Sequence, residues 1–483
     1  MFHHALRKFE LSIVMICGIK NIMTLWKPDA TLLTRPAYLS LADQIMRAIS
    51  DGRLVSGARM PPHRSLAYDL SLSVQTVSRA YETLIRRGML AGEIGRGTYV
   101  LQQKREMDQP YLPERLGEVI DLSILKPVCA PIHVEHMKQA LIELAETIPA
   151  SAVLSFRPNV VFPRHRKVAA DWLRSCGVDA LPENISVTNG ATPAMTIALM
   201  TAVPSGGTVA VEAISHHTLI PLITYLGLKL RGLAMDDQGM LPEALEAACR
   251  DGGIHAVFLQ PSAINPRAAV SSEKRRRDLA AVARRHDLFM IENDILGPLI
   301  EDKPPTLANI APERTLYITT LTKTLMPGLR IGYLSVPDQL APSAANRHLV
   351  TNWMATPLIA EIASRWIANG TAMELVNWQR KALAQRHAAA SEILQGIDYH
   401  AHPQSLHIWL PLPPDRDEAV FVSQARLRGV GIAPGASFRT VPDGKKPAVR
   451  ISLGSSGETE MDAGLRIIAS LYRAGAEALL IAV

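Results

Sequence analysis

Two regimes of hydrophobic patterning divide the chain. Before about residue 100, apolar positions recur at helical spacing in short runs: Leu41, Ile45, Ala48 and Ile49 mark one face of a helix over residues 38–49, which Asp51-Gly52 stops. Gly57 and Pro61-Pro62 mark a turn, a short helix covers 64–70, and a third covers 74–87 with Val77, Tyr81, Leu84 and Ile85 as its apolar seam and Gly88 as its stop. Residues 89–102 read as two short strands around a turn that carries Gly95, Arg96 and Gly97. Three helices followed by a hairpin is the element order of a winged helix-turn-helix. Residues 101–118 are polar, contain Pro110 and Pro113, and lack sustained periodicity, as a semi-rigid linker does. After about residue 119 the pattern changes: apolar strands at 185–188, 208–212, 255–260, 288–292 and 316–319 alternate with amphipathic helices such as 193–202, 241–249 and 274–285. That series predicts an α/β fold with a mostly parallel sheet covered by helices, and it places ligands at the carboxyl ends of the strands. The expected division is an N-terminal extension (1–30), a small head (31–103), a linker (104–118) and a large body (119–483).

Length and composition agree with this plan. A chain of 483 residues allows two to four domains at roughly 100–200 residues each. With 48% hydrophobic and 20% charged residues, it is neither disordered nor low-complexity. The formal charge of +6 is unevenly placed: residues 31–105 hold 11 basic against five acidic side chains, and residues after 105 are slightly acidic overall. A basic head on a near-neutral body suggests a polyanionic partner for the head, although a solvated basic face accounts for the same composition. Cys17, Cys129, Cys176 and Cys249 lie far apart without metal-ligand spacing, which argues against disulfides and zinc and for a reducing compartment, the cytoplasm. The apolar run 11–19 is too short to span a bilayer, and no A-x-A-like cleavage site follows it. Met23 opens a second reading of the N-terminus, in which residues 1–22 come from an upstream start codon.

A recognition helix needs short polar and cationic side chains at its exposed N-terminal end, to reach base edges and phosphates. Gln75, Thr76, Ser78 and Arg79 supply them; Arg64 opens a helix and suits a phosphate, and Arg96 sits on a glycine-flanked wing tip that can enter a groove. The run from Arg35 to Val100, including SLSVQTVSRAYETLIRRGMLAGEIGRGTYV, resembles the DNA-binding domain of the GntR family. Val74 stands where that family usually carries a basic residue.

In the body, TNGATPAM places Gly190, Ala191 and Thr192 between a strand and a helix, where exposed N–H groups suit a phosphate and where a ligand-free tight turn explains the glycine equally well. In ITTLTKTLMPGLRIG, Lys323 follows a strand among Thr320, Thr322 and Thr324, with Arg330 seven residues on. A lysine so placed can form a Schiff base to an aldehyde cofactor whose phosphate the hydroxyls and arginine neutralise. This segment resembles the lysine signature of fold-type I aminotransferases, with threonines where serines are usual. The resemblance then implies pyridoxal 5′-phosphate held as an aldimine by Lys323, the catalytic position. It further implies Asn265 near the cofactor phenolate, His216 where a stacking Tyr is usual, and Arg450 as the grip on an effector or substrate carboxylate. The strand that normally supplies an Asp to the pyridine nitrogen reads Ile291-Glu292-Asn293-Asp294-Ile295-Leu296, so either Asn293 or Asp294 occupies the carboxylate position, and the family Tyr is missing at Leu296. A strand turns only one of two adjacent side chains to a ligand. A glycine usual near Val160 and Val161 is also absent.

A GntR-type winged helix joined to an aminotransferase-like body resembles the MocR-type regulators, over Arg35 to the C-terminus. That resemblance implies a homodimeric transcriptional regulator that binds operator DNA and senses pyridoxal 5′-phosphate or a small amino compound. Two other readings fit the same residues: a working aminotransferase with a DNA-binding appendage, and a regulator whose body is only a dimerisation scaffold.

Overall fold

The computed structural model describes residues 26–51, 53–55, 57–86, 89–93, 97–100, 119–158, 162–441 and 446–474. The chain forms two compact units, within residues 1–108 and 109–483. The linker, Arg96, and Val160 with Val161 lie outside the described residues. No helix among the described residues is long and apolar enough to cross a membrane.

The small unit packs helices Ala37–Ser50, His63–Asp69 and Val74–Arg86 against the antiparallel hairpin β1 (Leu90–Glu93) and β2 (Gly97–Val100). Leu41, Ala42, Ile45 and Ala48 from the first helix meet Val77, Ala80, Tyr81 and Leu84 from the third in a single core. Ile85, at the edge of the expected seam, is instead 40% exposed, because the apolar stripe drifts around the helix by its last turn. Tyr81 is buried whole and donates its hydroxyl to the Pro61 carbonyl at 2.9 Å, which ties the third helix to the turn before the second.

The large unit is built on a seven-stranded sheet in the order β4 (Ile185–Thr188), β12 (Gly332–Ser335), β11 (Thr315–Thr320), β10 (Phe289–Asn293), β9 (Ile254–Leu259), β5 (Thr208–Glu212) and β6 (Lys229–Leu233). Only β12 runs antiparallel to its neighbours. The central strands are buried on both faces, as their near-continuous apolar sequences require, and helices including Ala191–Ala202, Glu273–Arg285 and Pro357–Ala368 cover them. A short hairpin, β7 (Met235–Asp236) and β8 (Gly239–Met240), follows β6. The chain then builds a smaller antiparallel sheet, β13 (His400–Ala401), β14 (His407–Pro411), β17 (Ala448–Ser452) and β16 (Ala433–Pro434), with its own core. β15 (Val430–Gly431) pairs in parallel with β3 (Ile120–Asp121), so the start of the unit is stitched to its end.

Candidate functional site

The carboxyl ends of β4, β5, β10 and β11 converge on a cavity of about 140 Å³, lined by Ala191, Thr192, His216, Asn293, Thr322, Lys323 and Arg330 among others. Gly190 caps the helix Ala191–Ala202 with no side-chain bond to the free amides of its first turn. Its φ of 92° favours glycine, and a Cβ here would come within 3.2 Å of Arg330 Nη2. That guanidinium also donates to the Asn189 carbonyl at 3.3 Å, so one cation and one helix N-terminus face the same corner.

Lys323 lies on the one-turn helix Leu321–Thr324 directly after β11, and its Nζ donates to the Leu125 carbonyl. Burial, with Arg450 and Arg330 nearby, holds its ammonium down at about 8. Thr320 does not offer its hydroxyl proton to the cavity: the hydroxyl donates to the Ile331 carbonyl at 2.6 Å and accepts from Thr322 N–H at 3.1 Å. The buried Thr322 hydroxyl has no partner and is the one available. Thr192 sits exposed at the rim.

His216 stacks on His217 at 4.7 Å with an interplanar angle of 19°, and its Nδ1 shares a proton with Thr218 Oγ1 at 2.7 Å. Burial first, and then the nearby Lys323 and Arg450, pushes its imidazole down to about 3, so the ring is neutral. His217 meets Phe438 edge-on, and Phe438 in turn lies under Arg450 at 5.0 Å. His217 is a residue that pattern reading missed, although two adjacent histidines after a strand were the available signal.

The end of β10 decides between the two polar neighbours. Asn293 is 2% exposed, lines the cavity, and has no partner for either amide atom. Asp294 is turned away from the cavity, and its Oδ2 takes Lys303 Nζ at 2.6 Å and the Tyr317 hydroxyl at 2.9 Å. Of the two alternatives, strand alternation turns Asn293 to the cavity and Asp294 away from it. Leu296 is packed into the core. Asn265 and Arg450 are adjacent: Arg450 Nη1 donates to Asn265 Oδ1 at 3.0 Å and Nη2 to the Ser123 carbonyl, while Asn265 Nδ2 is unpaired. Arg450 is wholly buried on β17, and burial lowers its guanidinium to about 9. Among the described residues, the cavity lining presents the cations Lys323 and Arg330, the Asn293 carboxamide and neutral rings but no carboxylate. It can hold an anion, and burial raises the share of Lys323 present as a neutral, nucleophilic amine well above that of an ordinary lysine.

In the small unit, Ser73 caps the third helix, accepting Thr76 N–H at 3.0 Å and sharing a hydroxyl bond with Thr76 Oγ1 at 2.8 Å. Gln75 and Arg64 are exposed, and Thr76 and Ser78 are half-buried. The exposed Arg79 lies over the Tyr38 ring at 4.5 Å, so its guanidinium is positioned by the first helix.

Fold and site together define a winged helix-turn-helix joined to an aminotransferase-type body. Residues 119–468 match the family of class I and II aminotransferases, and residues 37–100 match the gntR family of bacterial regulatory proteins. The chain belongs to the aminotransferase family over most of its length and carries a gntR-family domain at its head: it is a transcriptional regulator of MocR-type architecture, a GntR-type winged helix joined to an aminotransferase-like domain. It is 26% identical over 462 residues to the HTH-type transcriptional regulator YdeF of Bacillus subtilis, covering 94% of this chain and 98% of that protein. It is 24% identical to the HTH-type pyridoxine biosynthesis transcriptional regulator PdxR of Corynebacterium glutamicum, over 81% and 86% of the two chains. Among solved structures, an archaeal alanine:glyoxylate aminotransferase shares the fold with a TM-score of 0.67 and 23% identity, over 74% of this chain and 91% of that one. An aspartate aminotransferase from Thermus thermophilus does so with a TM-score of 0.63 and 20% identity, over 73% and 92%. Members of this fold family use pyridoxal 5′-phosphate.

Proposed function

We propose that the protein is an operator-binding regulator whose large unit holds pyridoxal 5′-phosphate through Lys323 and senses that cofactor or a small amino compound bound beside it. The observation that carries this reading is a cavity with a reactive amine and a guanidinium, a helix N-terminus, an unpaired Thr322 hydroxyl and, among the described residues, no carboxylate in its lining. Those residues fit a phosphorylated aldehyde. Arg330, Thr322 and the amides of Ala191 and Thr192 hold the phosphate, Lys323 holds the aldehyde carbon, and the neutral His216–His217 stack offers an aromatic face. When bound, the cofactor supplies an electrophilic carbon that amines attack and an electron-withdrawing ring. Arg450, screened from water, takes a carboxylate by exchanging its bonds to Asn265 and Ser123 for bonds to the ligand.

For the head, the gntR match and the exposed Arg64, Gln75 and Arg79 favour DNA as its partner. Thr76 and Ser78 lie on the same helix, and Arg96 belongs to the expected wing. Two heads acting on one operator require a homodimer, and the effector shifts DNA affinity only as far as it binds one dimer arrangement more tightly than the other. The test is an absorption titration of the purified full-length protein with pyridoxal 5′-phosphate, beside Lys323→Ala. A saturable visible band that the substitution abolishes is expected. An identical spectrum for both proteins overturns the reading.

A further inference from the structure

β10 ends in two polar side chains with opposite surroundings. Asp294 Oδ2 takes both Lys303 and Tyr317 behind the strand while its Oδ1 has no partner, and Glu292, on that same face, accepts the amides of Leu307 at 3.0 Å and Ala308 at 2.8 Å. Asn293 alone turns into the cavity, buried, with its amide nitrogen and oxygen both unpartnered. A buried carboxamide without partners is costly, and such groups in a cavity point to a ligand that completes them.

Pyridoxal 5′-phosphate has four polar features: the phosphate, the aldehyde, a phenolate oxygen beside the aldehyde, and a ring nitrogen across the ring from it. On the reading proposed above, Arg330, Thr322 and the helix N-terminus take the phosphate and Lys323 takes the aldehyde. The unpaired Asn265 Nδ2 is a donor for the phenolate. The ring nitrogen remains, and Asn293 is the buried lining side chain still without a partner.

We propose that Asn293 donates an amide N–H to the ring nitrogen and so holds it unprotonated, which makes the large unit a receptor for amines and not a catalyst of proton removal from their α-carbon. The inference rests on the cofactor reading and adds to it. A carboxylate at this place would favour a protonated ring by its charge, but a carboxamide has none. Lys323, Arg330 and Arg450 oppose a further cation, and the neutral His216 and His217 supply nothing to offset them. An unprotonated ring withdraws electrons weakly, so a carbanion beside it gains little stabilisation. Lys303 keeps Asp294 from substituting, because its ammonium would be left buried and unpaired if that carboxylate turned inward.

The experiment is nitrogen NMR of ring-15N-labelled pyridoxal 5′-phosphate bound to the full-length protein at neutral pH, with Asn293→Asp in parallel. The native protein should show the shift of an unprotonated pyridine, and Asn293→Asp should move it to the protonated position. A second reading in D2O follows exchange of the α-hydrogen of an added amino acid, expected to be at least tenfold faster with Asn293→Asp. A protonated ring nitrogen in the native protein overturns this inference and leaves the cofactor reading standing. Absence of any bound signal overturns the cofactor reading and this inference with it. Should Asn293→Asp fail to fold, the native spectrum decides alone.

Discussion

Arg450 Nη1 donates to Asn265 Oδ1 at 3.0 Å, joining the small antiparallel sheet to the loop after β9 of the large one. The guanidinium is wholly buried, and burial opposes the charge it carries more than Asp121 supports it. This is the expected condition of a group kept for a ligand and not for stability.

Arg450→Met relieves a buried charge but leaves Asn265 Oδ1 and the Ser123 carbonyl without their donor, so the thermal stability of the large unit should fall by no more than about 1–3 kcal/mol. The same substitution should abolish the response of operator binding to carboxylate-bearing amines. Differential scanning calorimetry and an operator-binding titration check the two halves. A large loss of stability with the response intact would show that Arg450 is structural.

Asp294→Asn should behave in the opposite way. It leaves the Lys303 ammonium, 10% exposed, beside a neutral group, and breaking one half of a buried pair costs about 3–5 kcal/mol. Its denaturant midpoint should fall, yet the absorption of bound cofactor should keep its native shape, because the side chain faces away from the cavity. A changed band with unchanged stability would contradict the placement.

Much of the fold was legible because its elements are strongly periodic: 185–188 and 208–212 have the bounds of β4 and β5, and the helices at 193–202 and 274–285 differ by one or two residues. Local pattern carried these, since apolar runs bounded by glycine and proline need no distant partner to be recognised. Chain order singled out Lys323 and Arg330, which meet at one cavity, and Arg450, which pairs with Asn265. The site was not legible where a contact comes from far along the chain or from strand direction. Nothing local says that the Leu125 and Ser123 carbonyls meet Lys323 and Arg450, or that Thr320 donates its hydroxyl to Ile331. Which of Asn293 and Asp294 faces inward depends on the register of β10, and Lys303, nine residues on, is what anchors the outward one.

Lys323 gives a pH dependence of definite sign. Its folded value near 8 lies below the ordinary 10.5, so the ammonium is the disfavoured form and the reactive neutral amine grows as pH rises through about 8. The rate at which the cofactor band develops should rise roughly tenfold per pH unit below that value and level off above it. Stopped-flow absorbance from pH 6 to pH 10 checks this; a rate that keeps climbing beyond pH 9 would place the lysine in an ordinary, solvated setting.

In the head, Arg64→Ala should weaken operator binding about equally for all sequences and reduce the slope of log affinity against log salt by roughly 0.9, the expectation for one lost phosphate contact. Gln75→Ala should instead relax sequence preference at one base pair by about 1–3 kcal/mol. Tyr38→Ala removes the ring under Arg79, and it should reproduce part of the loss caused by Arg79→Ala, because the ring fixes the guanidinium at the helix surface. Fluorescence anisotropy with a duplex obtained by selection from a random pool reads all three.

Occupancy of Lys323 should be coupled to operator binding by the head. This coupling is tested most directly by titrating pyridoxal 5′-phosphate into a complex of the full-length protein with its selected duplex, following anisotropy and visible absorbance in one cuvette, for the native chain and for Lys323→Ala. Operator affinity should change in step with the visible band in the native protein, and neither signal should move in the variant. Operator affinity that ignores the cofactor while the band saturates would contradict the coupling.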